Sequence, residues 1–150
     1  MRVLLDECLP RQLKRDLVGH DSHGIMRTRG YVDLIDKGHI VPGAPDEVER
    51  SSATSAVING NWGFGFVVTE RAMTETIEKA KEAGVAMAAV RYQGHVGRLG
   101  AYAAMAAEQG MIAMIMADSG LGPKCVTPFG GRESRLGTNP ICFAAPAGSH

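Results

Sequence analysis

Short apolar runs alternate with amphipathic stretches along this chain, and Gly and Pro mark the breaks. MRVLLD predicts a short strand and LPRQLKRDL a short helix. From Asp21 the pattern changes. DSHGIMRTRGYVDLIDKG carries Ile25, Val32 and Ile35 on one helical stripe, with Gly38 placed to end it. HIVPGAPDEV predicts an extended linker. SATSAVING predicts a strand, NGNWG a hairpin-type turn, and FGFVV the partner strand. Thr69 is placed to cap the helix ERAMTETIEKAKEA, whose Met73, Ile77 and Ala80 face inward and which Gly84 stops. VAMAAV predicts a strand of the fully buried type. RYQGHVGRLG predicts a glycine loop, AYAAMAAEQG a small-residue helix closed by Gly110, and MIAMIMAD another buried strand. A long Gly/Pro loop follows, and ICFAA predicts a last strand.

The alternation of strand and helix over residues 64–118 argues for an α/β fold, a mixed sheet with flanking helices. The sheet is expected to be incomplete, because nothing after ICFAA is left to cover that strand's faces. The loop before it is long enough to suggest a site rather than a connector.

Composition narrows the class. Sixteen basic and sixteen acidic residues cancel, which gives no electrostatic case for nucleic acid or an anionic membrane surface. Three cysteines, Cys8, Cys125 and Cys142, lack CxxC spacing and read as free thiols of a cytoplasmic protein, with Cys125 and Cys142 in or near the core. No apolar run reaches membrane-spanning length, and the N-terminus lacks a signal-peptide pattern.

Three stretches could carry chemistry. In the first, His23, Arg27 and Tyr31 follow at four-residue intervals, so a helix would stack them on one face. Histidine exchanges protons near neutral pH, and arginine grips a carboxylate through paired hydrogen bonds. Asp21 and Ser22 could orient the imidazole or the substrate. A solvated polar helix face explains the same spacing and, on spacing alone, explains it better. A metal site built on His20, Asp21 and His23 lacks the i,i+4 histidine pair of a helical zinc site, so no metal is expected. In the second, GHVGRLG, bare amides and Arg98 could meet phosphate at a helix start. Its GxxGxxG spacing is not the Rossmann fingerprint, and a tight turn around a satisfied His95 is the commoner explanation. In the third, PFGGRESRLGTNP, Thr138 and Asn139 could line a pocket, or simply belong to a surface loop with a turn at Asn139–Pro140.

Together and in this order, HDSHGIMRTRGYVDLIDKGHI, GFVVTERAM, GHVGRLGAYAAMAAEQGMI and PFGGRESRLGTNPICFAAP resemble the malate/L-lactate dehydrogenase family. The resemblance implies a non-Rossmann NAD(P)-binding fold, NAD or NADP as cofactor, a small 2-hydroxy or 2-oxo acid as substrate, and a homodimer. Matched by motif, Ser22 is the relay residue and His23 the proton donor. In some members the histidine matching His95 is the acid/base instead, and both stay open. Arg27 grips the substrate carboxylate, with Tyr31 and Thr138 as further substrate contacts. His95, Val96, Gly97, Arg98 and Leu99 touch the cofactor, as does Ser119. The resemblance also implies that residues 19–150 correspond to the front half of such an enzyme, without the acidic partner of the relay. An active dehydrogenase and a catalytically inactive fragment that still binds cofactor or a partner are both compatible with that. MRVLLDECLPRQLKRDLVGH resembles the first strand and helix of PIN-like toxin-associated domains, with Asp6 and Glu7 at the acidic position. This suggests a fusion junction near residue 18, although one acidic pair cannot hold a nuclease metal.

Overall fold

The computed structural model describes residues 27–118 and 124–148. Ser22, His23 and Ser119, the N-terminal strand and helix, and Cys8 lie outside the described residues. Helix α1 (Thr28–Asp36) comes first, then strands β1 (Glu47–Ser51) and β2 (Ser55–Gly63). Helix α2 (Gly65–Ala83), strand β3 (Met87–Gln93) and helix α3 (Leu99–Ala107) follow, and β4 (Ala113–Met116) and β5 (Ile141–Ala144) complete the order.

Strands β1, β2 and β3 form one mixed sheet with β2 in the centre, antiparallel to β1 and parallel to β3. Helix α2 is the crossover between the parallel pair, as parallel strands require. Strand β2 buries every second side chain, Ala56 and Ile58 among them. These pack on Val68 and Ala72 of α2, with Ala88 and Val90 of β3 beside them. One turn further, Ile77 of α2 enters a second cluster with Ala103 and Ala106 of α3 and Ala113 of β4. Small side chains on α3 let β4 and β5 approach closely. These two strands pair only with each other among the described residues, so the mixed α/β architecture contains two small sheets joined through α2 and α3.

Several expectations change. FGFVV is not a strand: Gly65 opens α2, and Phe66, Val68, Thr69 and Ala72 are its buried face. A short apolar run has no period of its own to separate helix from strand. NGNWG does turn, with Asn61 at φ 46° and Trp62 at φ 60°. The turn makes an irregularity in the β2–β3 register between Asn59 and Gly63, not a hairpin. Thr69 is therefore inside α2, and its hydroxyl donates to Gln93 Oε1 at 3.0 Å instead of capping. The linker HIVPGAPDEV runs directly into β1. VAMAAV is not fully buried, because Val85 and Met87 are exposed. On α1, Ile35 is half-buried but Val32 is exposed; Tyr31 and Leu34 turn inward instead. The long loop folds back on itself through a bridge between Val126 and Leu136. Cys125 is exposed rather than near-core, whereas Cys142 packs against the second cluster. Gly38 and Gly84 end their helices in left-handed conformation, at φ 69° and 81°.

The two faces of the β4–β5 sheet differ sharply. Ala113, Ile115, Cys142 and Ala144 face α3, while Met114 and Phe143, and beside them Met116 and Ile141, stand opposite each other in register on the other face and are exposed. Among the described residues, no helix is long and apolar enough to cross a membrane.

At the sheet edge, β1 is irregular between Val48 and Arg50, and Glu49 reaches past β2 to accept a hydrogen bond from Arg91 of β3 at 2.5 Å. That bond, with the Arg91 charge and a second bond from Asn59, holds the Glu49 carboxyl below its usual range. Two predictions follow from this packing. Ile58→Ala, at the centre of the first cluster, lowers stability by about 2–5 kcal/mol in chemical denaturation. Because the carboxyl is depressed in the fold, its small contribution is present above the ordinary carboxylate range and is lost as pH falls through the folded value. Glu49→Gln therefore flattens the acid limb of a stability–pH curve and leaves the neutral region nearly unchanged.

Candidate active site

The site forms where β3 ends and α2 begins, and Tyr31 of α1 reaches both. Strand β3 delivers Gly94 and His95 immediately after Gln93. The Gly94 amide donates to the Gly63 carbonyl at 2.9 Å, which extends the pairing past the strand end. A Cβ on Gly65 would collide with the Gly94 and His95 carbonyl oxygens. The first turn of α2 thus lies directly against the backbone that carries the histidine. Gly97 sits at φ 70°, and a Cβ there would collide with the Phe66 ring. Beyond it, fully buried Tyr102 of α3 donates its hydroxyl to the Val96 carbonyl at 2.6 Å. The loop is thereby fixed from both sides.

His95 is half-buried in an aromatic setting. Tyr31 stands edge-on to Phe64 and Phe66, with ring centroids 6.2 and 5.8 Å away. Phe66 is also edge-on to the imidazole at 6.1 Å. The Tyr31 hydroxyl lies 2.9 Å from His95 Nδ1, and the Gly97 amide donates to the same nitrogen at 3.3 Å. A backbone amide can only donate, so this geometry favours Nδ1 as acceptor and places the proton of the neutral ring on Nε2.

Two expected substrate contacts, Tyr31 and Arg27, are carried by the same element. Arg27 caps the N-terminal end of α1 one turn before Tyr31 and is exposed. Thr138 is exposed on the segment leading into β5, ahead of Asn139 at φ 43°. Among the expected cofactor contacts, Arg98 is the N-cap of α3 and Leu99 its first residue. That helix start has no acidic residue in its first turn and no side-chain cap, which suits an anionic group such as a cofactor phosphate. The glycines play a different part from the one expected. Gly97 has no room for a Cβ beside Phe66, and Gly94 is tight against Gly63 and Ile40, so internal packing accounts for both without a ligand. Only Gly100 of the three has ordinary contact distances around it. The sequence reading missed Phe64, Phe66 and Tyr102, and the only signal for the first two is a pair of aromatics flanking a glycine in FGF. Among the described residues no cluster of His, Cys, Asp and Glu could hold a metal ion.

Comparison with known proteins places this arrangement in a family. The sequence model of the malate/L-lactate dehydrogenase family matches residues 8–150, beginning upstream of the Gly19 where the motifs start. The chain belongs to that family. It is 45% identical over 131 residues to a malate dehydrogenase of Pyrococcus abyssi, covering 87% of this chain and 35% of that one. It is 41% identical over 135 residues to an L-sulfolactate dehydrogenase of Methanothermobacter thermautotrophicus, covering 90% of this chain and 39% of that one. The solved malate dehydrogenase of Pyrococcus horikoshii superimposes with a TM-score of 0.88 at 39% identity, over 99% of this chain and 44% of that one. The chain thus spans well under half the length of the relatives it matches.

Two substitutions test the loop's supports. Gly97→Ala forces a left-handed alanine into the Phe66 ring and costs more than about 1 kcal/mol. Tyr102→Phe leaves the Val96 carbonyl without its donor and costs about 1–3 kcal/mol. Both are read as lowered melting temperature together with a shifted His95 ring resonance.

Proposed function

We propose that this chain carries the proton-transfer and cofactor-facing part of an NAD- or NADP-dependent oxidoreductase of small 2-hydroxy acids, working as a cytoplasmic homodimer. The observation that supports it most is the His95 constellation: an imidazole held by its Nδ1 side, in an aromatic setting, immediately ahead of an uncapped helix start. Family membership supports the reaction class, since the malate and sulfolactate dehydrogenases among the relatives are named for 2-hydroxy acids.

In this reading Arg27 holds the substrate carboxylate through paired hydrogen bonds and so orients the carbon to be reduced or oxidised. His95 gives a proton to the substrate oxygen on reduction and takes it back on oxidation. Ser22 and His23 form a relay on the segment preceding α1, with His23 as the competing proton donor. Val96, Gly97, Arg98, Leu99 and Ser119 contact the cofactor, and Thr138 contacts substrate. A bound nicotinamide supplies or accepts the hydride. The chain's own work is to orient the acid, hold the proton and keep Phe66 and Tyr31 around the imidazole.

A second reading has a specific observation in its favour. The open apolar face of Met114, Met116, Ile141 and Phe143 suits a chain that binds cofactor or a partner without turning over. Titrating the full chain with NADH and NADPH, followed by nicotinamide fluorescence, and then assaying malate, lactate and sulfolactate oxidation separates the two. The dehydrogenase reading expects saturable binding and turnover, with His95→Ala reducing kcat by about 10²–10⁴. An unchanged kcat in His95→Ala and a collapsed one in His23→Ala would move the proton transfer to His23. Binding without turnover selects the second reading, and no binding of either nucleotide rejects the cofactor assignment.

A further inference from the structure

Among the described residues β4 and β5 pair only with each other, and α3 covers one side of the ribbon they form. Met111, Ala113, Ile115, Cys142 and Ala144 belong to that covered side. Side chains alternate along a strand, so Ile112, Met114 and Met116 share the opposite side with Ile141 and Phe143. Their exposures run from 56% at Met114 to 81% at Ile112. We propose that this face seats a second copy of the chain, packed sheet on sheet about a twofold axis parallel to the strands. The proposal deepens the homodimer of the dehydrogenase reading by giving it an interface.

Three observations select this occupant. The face is not a cavity: the two candidate cavities lie elsewhere, one between β1, β2 and α2, the other in the 128–135 loop. A flat surface suits another protein surface better than a small molecule. The face is also uncharged, since neither β4 nor β5 contains an acidic or basic residue. It offers no cation to a lipid headgroup or a nucleic acid and no carboxylate to a basic peptide. Two copies of it meet without like charges opposed, and a chain of zero net charge adds no long-range repulsion. The third observation is size. Taking on the order of 200 Å² for each large apolar side chain, the five exposures leave roughly 650 Å² per copy and about 1,300 Å² across two, above the ~1,000 Å² that a specific interface needs.

The strand register sets the arrangement. Met114 stands opposite Phe143, and Met116 opposite Ile141. A twofold axis along the strands lays β4 of one copy over β5 of the other at the same level. Met114 then meets the partner's Phe143, and Met116 the partner's Ile141, each contact occurring twice. A thioether against an aromatic ring is a favourable contact, and the twofold closes the assembly at a dimer.

Sedimentation of the full chain over a range of concentrations tests this. The expected result is a reversible dimer, with Met114→Lys and Phe143→Glu each raising its dissociation constant roughly tenfold or more. Mixing those two variants should restore association, because the lysine of one chain then faces the glutamate of the other. A native chain that stays monomeric overturns the proposal and leaves the face to a different partner. A dimer unchanged in both variants overturns it by placing the homodimer on another surface. Association lost in each variant and not restored on mixing overturns it as well. Circular dichroism melting checks that the variants fold. Should they not, Met116→Gln, of similar length and uncharged, is expected to weaken the dimer severalfold, and an unchanged dimer there is equally fatal. Self-association in a chain that binds neither NADH nor NADPH sustains the interface while rejecting the dehydrogenase reading. A monomer that binds nucleotide and turns over does the reverse.

Discussion

The backbone after β3 and the first turn of α2 lie so close together that no side chain fits between them at Gly65. Gly65 permits it on one side and Gly97 on the other, since a side chain at either would drive into carbonyl oxygens or into Phe66. Because the gap is this narrow, His95 has little freedom in position. Its carbonyl is pressed on one helix and its neighbour Val96 is tied to Tyr102 of the next. The parallel β2–β3 pairing brings the two backbones to this point, and the left-handed residues Asn61, Trp62 and Tyr92 lie just upstream on the two strands. Such conformations are costly for bulky residues and persist where the surroundings hold them. Their clustering ahead of Gly65 and Gly94 is consistent with strain kept for positioning.

How much of this could be read from the sequence depends on the range of the interaction. Helix ends set by Gly38, Gly84 and Gly110 were legible because left-handed backbone is a local demand. So was the small-residue helix α3. The face of α1 was not: Val32 fits an apolar stripe, yet Tyr31 turns inward because Phe64, Phe66 and His95 offer it partners. The start of α2 was misread because FGFVV is apolar throughout, and only contact with the Gly94–His95 backbone shows why a glycine opens a helix there. The pairing of Tyr31 with His95 spans 64 positions, and no spacing rule connects them. Four collinear motifs identified the family, but they could not supply this contact, which depends on the β2–α2–β3 crossover.

The glycines of GHVGRLG show a related limit. Read locally they suggest bare amides open to a phosphate. In the fold, Gly94 and Gly97 pack against the protein's own atoms, and the phosphate reading is left to the start of α3, where Arg98 is the N-cap. The loop's contribution is therefore rigidity. A ligand at the helix start would meet a backbone whose position is already determined by Phe66 and Tyr102, and would lose little conformational entropy in ordering it.

The second sheet poses a different constraint. α3 covers one face of β4–β5, and the Met114–Phe143 and Met116–Ile141 pairs leave the other face apolar and exposed. The His95 region does not depend on that face: its supports come from α1, α2 and α3, and the first core cluster lies wholly in β2, β3 and α2. The two parts of the fold therefore differ in what they need. Several contacts of the histidine constellation lie within the described residues, whereas the β4–β5 layer has only one covered face there. This chain covers 35% and 39% of two of the relatives it matches. The Tyr31–His95–Gly97 contacts therefore stand independently of what covers the Met114–Phe143 face.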